Sequence, residues 1–146
     1  MDFDDMPPKS KEKIQSIIDM HLEACSKILE KDNLIIPFIA TYNSAPDTNT
    51  LACIQSKDGQ VDFDKALAAG LKMLKEIKFD MAVFSHTALC SAEGQKDIDV
   101  IVSFVIDPNG LAVKILTSYK RRGLFKKSVE YIETGAVEVI ENIFKS

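Results

Sequence analysis

The stretch MAVFSHTALCSAEGQKDIDVIVSFVIDPNGLAVKILTSYKRR, residues 81–122, decides the fold of this chain. It contains three apolar runs, at 81–91, 97–107 and 111–121, separated by the short connectors AEGQ and DPNG. Both connectors have the chemistry of tight turns, because glycine accepts a positive φ and proline fixes the first turn position. The stretch therefore predicts an antiparallel meander of three strands.

Further helices and strands are predicted on either side of the meander. Apolar residues at three- and four-residue intervals predict one helix over about residues 10–31 and a second over residues 63–77, with Asp62 as its N-cap. The runs LIIPFIATY (34–42) and LACIQS (51–56) predict two short strands, and Pro37 favours an edge or a bulge in the first. VEYIE (129–133) adds a possible strand, and AVEVIENIFK (136–145) predicts a closing helix.

In chain order these elements are α-β-β-α-β-β-β-(β)-α, which predicts an α+β domain with an antiparallel sheet of about five strands and helices packed on one face. The length of 146 residues and the apolar content of 46% fit a single domain over residues 9–146. Residues 1–8, which are acidic and end in two prolines, predict a flexible N-terminal arm.

Charge and cysteine content limit the class of protein. The formal net charge of −4 argues against a protein that coats nucleic acid, since such binding relies on a broad basic face. The sequence has neither a cationic start followed by an apolar run nor an apolar stretch of 18 residues, so we expect no signal peptide and no membrane span. Three cysteines without a CxxC motif predict reduced thiols in a cytoplasmic protein.

Strand alternation assigns side chains to the two faces of the meander once hairpin registers are assumed. We assume that Ala92 pairs with Gln95 and Ile106 with Leu111. The predicted core face then carries Val83, Leu89, Ile98, Val100, Val102, Phe104, Ile106, Leu111, Val113 and Ile115. The opposite face carries Phe84, His86, Cys90, Asp97, Asp99, Ile101, Lys114, Leu116, Ser118 and Lys120. A shift of one residue in either hairpin would change these neighbours.

Two interpretations of the second face do not require catalysis. It can be a solvent-exposed sheet face with ordinary cross-strand ion pairs, such as Asp97 with Lys120. Alternatively, Phe84, Ile101 and Leu116 form an apolar patch that binds a partner, and a homodimer through this face fits such a patch. The second interpretation makes Phe84 and Leu116 binding residues.

A third interpretation takes His86 and Asp99 as catalytic residues. As diagonal neighbours on adjacent strands they are suited to acid–base chemistry, because a carboxylate can orient an imidazole ring and raise its basicity. No nucleophile motif or phosphate-binding glycine loop accompanies them in the sequence. Cys90 lies four residues after His86, about 13 Å along a strand, which is too far for a nucleophile pair or for shared metal ligation.

His21 and Cys25, in the sequence HLEAC, lie one helical turn apart on the apolar side of the first predicted helix. A zinc site would need two further ligands beside them. We therefore expect a packed histidine and a packed thiol, with no metal and no cofactor.

A run of cations, SYKRRGLFKK (118–127), ends the meander. Alternation would direct Lys120, Arg121 and Arg122 to both faces of the sheet, so these residues and the following Lys126 and Lys127 do not line one groove by periodicity. The run is either a solvated loop that offsets acidic neighbours or a binding site for an anion or RNA, since clustered Arg and Lys beside an aromatic residue are typical of such sites.

From residue 34 onward the chain resembles a class of small uncharacterised bacterial α+β proteins. The resemblance rests on the IPF strand, the segment VFSHTALCSAEGQ, the strand DIDVIVSFVID and the segment TSYKRR. It implies the fold, and it implies no activity.

The sequence thus predicts a cytoplasmic binding or interaction module that associates with itself through a sheet face. The alternatives are a small enzyme or ligand-binding protein that uses His86 and Asp99, and an anion or RNA binder that uses the basic stretch. An enzyme concentrates titratable groups in a concave pocket, whereas an interaction module presents a flat apolar patch with a charged rim.

Overall fold

The computed structural model describes residues 2–54, 62–92, 94–123 and 128–145. Its helices are α1 (Pro8–Lys31) and α2 (Phe63–Lys75), and short 3-10 turns occur at Phe3–Asp5 and Pro46–Thr48. Its strands are β1 (Phe38–Thr41), β2 (Leu51–Cys53), β3 (Ala82–Ala92), β4 (Gln95–Ile106), β5 (Ala112–Arg122) and β6 (Ser128–Ile140). All strand pairs are antiparallel, in the order β2-β1-β3-β4-β5-β6. The predicted α+β class is confirmed, with six strands instead of five.

Both helices form where the sequence supplies a start signal and an apolar stripe. α1 begins at Pro8, a position where the missing N–H of proline has no helical partner to lose. The Asp62 carboxylate caps α2 by accepting from the N–H groups of Asp64 and Lys65 at 3.1 and 3.2 Å. Neither of these described helices is both long enough and apolar enough to cross a membrane.

The two helices lie on opposite faces of the sheet, so the expectation that both share one face is wrong. We call these faces the α1 face and the α2 face. Residues packed with α1 on its face include Phe38, Ala40, Val83, Ile101, Val105, Val113, Ile115 and Tyr119. Residues packed with α2 on the other face include Ile39, Ala82, Phe84, Val100, Val102, Phe104, Ile106 and Ala112. The domain therefore has two hydrophobic cores divided by the sheet.

The assumed registers are wrong by one residue along most of the β3–β4 pair and along the β4–β5 pair. Ile106 pairs with Ala112, because a three-residue loop ending in Gly110, at φ 94°, closes the β4–β5 hairpin. Ala92 pairs with Gln95 as assumed, but the next pair is Cys90 with Ile98, since an irregularity near Asp97, at φ 61°, inserts one extra residue into β4.

The two register shifts reverse the predicted faces of the β4 side chains only. They cancel between β3 and β5, so the side chains of those two strands share faces as predicted. His86 pairs with Val102, and Val102 pairs with Leu116, so His86 and Leu116 share the α2 face. The residues predicted for one core face are consequently divided. Val83, Val113 and Ile115 lie on the α1 face, while Val100, Val102, Phe104 and Ile106 lie on the α2 face.

The C-terminal segment is a strand where a helix was expected. β6 pairs along β5 as far as Ile140, with two register shifts on the way, which confirms the strand at VEYIE and overturns the closing helix. After β6 the chain folds back on the β4–β5 loop, where the Ile143 N–H donates to the Gly110 carbonyl at 2.8 Å. Gly110 has a φ of 94°, which a residue with a side chain rarely adopts, and a Cβ atom there would also approach the Asn142 Oδ1 to 2.6 Å, so glycine suits this position. At the other end of the chain, Met6 is buried against the α1 face.

Candidate functional site

The structure does not bring His86 and Asp99 together. Asp99 pairs with Leu89, which lies three residues after His86 on the same strand. An odd separation on a strand places two side chains on opposite faces, so His86 lies on the α2 face and Asp99 on the α1 face. The geometry that made them a catalytic pair is therefore absent.

His86 is a packed histidine beneath the first residue of α2. Its ring stacks on that of Phe63 with the centroids 3.8 Å apart, and its Nδ1 lies 3.1 Å from the Thr87 carbonyl oxygen. A carbonyl only accepts, so Nδ1 carries the proton of the neutral ring. Burial lowers the pKa of His86, with a smaller contribution from the charge of Lys114, although the Thr87 hydrogen bond opposes the shift.

The apolar patch expected on the second face is not exposed. Phe84 and Ile101 are fully buried, in the α2-face core and the α1-face core respectively. Leu116 is half-buried and packs against the α2-face core. The argument for a homodimer through this face therefore does not hold, because its apolar members are occupied within the chain.

The described part of the basic stretch has structural partners. The Arg121 guanidinium donates to the carbonyl oxygens of Leu29 at 2.5 Å and Asp32 at 2.8 Å, and so satisfies carbonyls at the C-terminal end of α1. Arg122 forms a salt bridge with Glu130.

Lys120 is exposed and lies opposite Glu130 of β6, and among the described residues it forms no salt bridge with the predicted partner Asp97. Lys126 and Lys127 lie outside the described residues.

A buried polar chain connects α1 to the sheet. The His21 Nδ1 lies 2.7 Å from the Tyr42 hydroxyl, its Nε2 lies 2.7 Å from the Ser85 Oγ, and the Ser85 Oγ lies 2.9 Å from that of Ser103. His21 is fully buried, and burial lowers its pKa to about 4, so the ring is neutral near pH 7. Burial likewise raises the pKa of the Cys25 thiol to about 12.

This hydrogen-bonded polar chain has a structural role, because His21, Ser85 and Ser103 are all inaccessible to a substrate. Both ring nitrogens are already occupied, which leaves none for a metal ion. His21 and Cys25 are thus packed core residues, as predicted. Among the residues that the structure describes, no three His, Cys, Asp or Glu side chains are placed to hold a metal.

An open groove with a volume of about 920 Å³ lies at one end of the sheet and offers several polar groups. We call it the Asp80 groove. It is lined by Asn43, Ser44, Ala45, Thr48, Leu74, Lys75, Ile77, Lys78, Phe79, Asp80, Pro108 and Phe144. Its walls come from the loop after β1, the end of α2, the segment between α2 and β3, the β4–β5 loop and the C-terminal segment.

Hydrogen bonds fix the position of the Asp80 carboxylate. Its Oδ2 accepts from the Ser44 N–H at 2.6 Å and from the Ser44 Oγ at 2.8 Å, while its own N–H donates to the Asn43 Oδ1 at 2.9 Å. The Ser44 hydrogen bonds lower the pKa of Asp80, and the charge of Lys13 has a minor effect in the same direction. Asp80 is therefore an ionised and well-positioned carboxylate at neutral pH.

Two cations and two aromatic rings line the same groove as this carboxylate. Lys75 and Lys78 line the groove, and the Lys75 Nζ lies 5.9 Å from the centre of the Phe144 ring, within the range of a cation–π contact. A second cavity of about 220 Å³, lined partly by Lys13, adjoins Asp80 on the α1 face. The groove thus combines one anion, two cations and apolar walls.

Sequence reasoning missed every charged residue of this groove. Asp80 and Ser44 are 36 residues apart, and only the pairing of β1 with β3 brings them into contact. The one local signal is the segment KFD (78–80), in which opposite charges flank an aromatic residue at the end of a predicted helix.

No protein-family model matches the chain, and the searches of curated proteins and of solved structures gave no match either.

Proposed function

We propose that this protein is a binding module whose site is the Asp80 groove, and that it binds small amphipathic molecules. The observation that carries the proposal is the convergence of Lys75, Lys78 and a fixed Asp80 carboxylate on one groove with aromatic walls. Its volume of about 920 Å³ is within the range of small-molecule sites, which are mainly apolar with a few placed polar groups. This proposal keeps the binding function expected from the sequence, but its binding site is the Asp80 groove instead of the sheet face. We keep the cytoplasmic location as part of this proposal.

Recognition fits this groove better than proton transfer. A general base works best when its pKa is near the operating pH, whereas the Ser44 hydrogen bonds move the pKa of Asp80 the opposite way. The Ser44 hydroxyl donates to that carboxylate, and none of the described lining residues is a histidine or a cysteine that could act as base or nucleophile. These groups can hold a ligand by charge and hydrogen bonding.

The fluorescent anion 8-anilinonaphthalene-1-sulfonate tests the site, since it combines a negative charge with aromatic rings. We expect native protein to enhance its fluorescence and the variant Phe144→Ser to lose most of that enhancement, because Phe144 supplies an aromatic wall. Val137→Ser is the matched control, as Val137 is 56% exposed on β6, outside the groove. Circular dichroism establishes that both variants fold. Equal fluorescence from Phe144→Ser and native protein would show that the probe binds elsewhere.

Self-association is the second candidate, and the edges of the sheet favour one location for it. β6 is an edge strand with two register shifts and Glu130, Glu133 and Glu138, features that hinder pairing of edge strands. β2 lies at the other end of the strand order, is uncharged, and carries Leu51 at 64% exposure. A homodimer would therefore pair two β2 edges. The strand has only three residues, so the area is small and we rank this candidate second.

Light scattering at rising protein concentration tests the homodimer. We expect a mass that increases toward that of two chains in native protein and remains that of one chain in Leu51→Asp, because a charge at the paired edge opposes association. Val137→Asp on β6 is the control and should behave as the native protein does. A native mass of one chain up to millimolar concentration would exclude the dimer.

A further inference from the structure

We infer that the ligand of the Asp80 groove is a small zwitterion with an apolar side group, of the class of the apolar α-amino acids. Its ammonium would bind at Asp80, its carboxylate at Lys75 and Lys78, and its side group against the aromatic wall. This inference rests on the proposed function and names the ligand class for the same site.

The two lysines supply the anion-binding part. Both line the groove, and neither forms a salt bridge with a carboxylate in the described part of the chain. Lys75 lies over the Phe144 ring, so a carboxylate bound at its ammonium is held beside an apolar surface. A ligand with both a carboxylate and a hydrocarbon group can therefore contact the Lys75 ammonium and the Phe144 ring together.

Asp80 supplies the cation-binding part. Its Oδ2 takes both hydrogen bonds from Ser44, while its Oδ1 takes none from the described residues and is available to a ligand donor. Lys13 lies toward the cavity on the α1 face, where it forms no salt bridge with Asp80.

The spacing of the charges fits a small molecule. Lys78 and Asp80 are separated only by Phe79, so their Cα atoms are at most about 7 Å apart. All three residues line the groove. Opposite charges around an aromatic side chain therefore face one ligand site, and a molecule with an ammonium and a carboxylate on neighbouring atoms can meet both.

Ligands with a single charge satisfy only half of this arrangement. An amine alone would face two lysines of like charge, and a carboxylate alone would face Asp80. A charge-assisted contact that is lost or replaced by repulsion weakens binding by about tenfold or more. The groove should therefore discriminate against both of these analogues.

Isothermal titration calorimetry at pH 7 and low salt tests this with L-phenylalanine, 3-phenylpropionate and phenethylamine, which share one aromatic ring and differ in charge. We expect L-phenylalanine to bind about tenfold or more tightly than either analogue. Asp80→Asn should remove its advantage over 3-phenylpropionate, and the double variant Lys75→Gln/Lys78→Gln should remove its advantage over phenethylamine. Lys65→Gln is the control, since Lys65 is exposed on α2 outside the groove lining.

The outcomes separate the inference from the proposed function. If either analogue binds as tightly as L-phenylalanine, or if none of the three binds while the fluorescent probe still requires Phe144, the inference is wrong and the binding function stands. If the probe also binds independently of Phe144, both are wrong.

Discussion

Replacing His21 with alanine is expected to lower the free energy of unfolding by about 3 to 5 kcal/mol. The imidazole is fully buried, stacks on the Phe38 ring at 5.2 Å between centroids, and bonds to Tyr42 and Ser85. Alanine would leave a cavity between α1 and the sheet, would remove the imidazole partner of the half-buried Tyr42 hydroxyl, and would leave the buried Ser85 hydroxyl with Ser103 alone. These effects act against the folded state, since a buried polar group without a partner keeps its full desolvation penalty.

Urea unfolding followed by circular dichroism measures this loss. Met20→Ala is the matched control, because Met20 precedes His21 on α1 and is 49% exposed. We expect the control to change stability by no more than about 0.5 kcal/mol, as is usual at surface positions. Comparable decreases in the free energy of unfolding in the two variants would contradict the structural role of the polar chain around His21.

Acidification from pH 7 to pH 4 is expected to remove roughly 3 kcal/mol of stability through His21 alone. The pKa of this ring falls from 6.5 to about 4 on folding, and each pKa unit corresponds to about 1.4 kcal/mol. A lowered histidine pKa means that the folded state binds fewer protons. The contribution is therefore complete above pH 6.5 and is lost as the pH falls toward 4.

The difference between pH profiles isolates this contribution from that of the carboxylates. Stability is measured from pH 7 to pH 4 for native protein, His21→Gln and His86→Gln. We expect the acid-dependent loss to shrink by roughly 3 kcal/mol in His21→Gln. His86→Gln is the comparison, because burial also lowers the pKa of that less completely buried ring and acts in the same direction. Parallel profiles for native protein and His21→Gln would show that His21 titrates normally.

The sequence was sufficient for the fold class and most elements, but it was misread at β4. The loop DPNG places glycine third after Asp107, the pattern of a three-residue hairpin, and the Asp107 N–H indeed donates to the Leu111 carbonyl at 2.9 Å. A four-residue loop was assumed instead. Within the segment DIDVIVSFVID, the run VIVSFVI (100–106) is apolar in both strand phases except at Ser103, which is typical of a central strand buried on both faces. That signal favours a helix on each face, as the structure has.

The candidate site was beyond local sequence reasoning. The groove needs Ser44 against Asp80 and Phe144 beside α2, and those contacts depend on strand order and on the path of the chain after β6. Periodicity describes one element at a time and contains no information on such neighbours. In contrast, the burial of His21 and Cys25 follows from one helical stripe, and this prediction was confirmed.

Nuclear Overhauser contacts between bound L-phenylalanine and the labelled protein test the central claim most directly. The account predicts contacts from the ligand ring to the side chains of Phe79 and Phe144, which line the groove. Contacts from the ligand to Phe63 and His86, at the opposite end of α2, would contradict it.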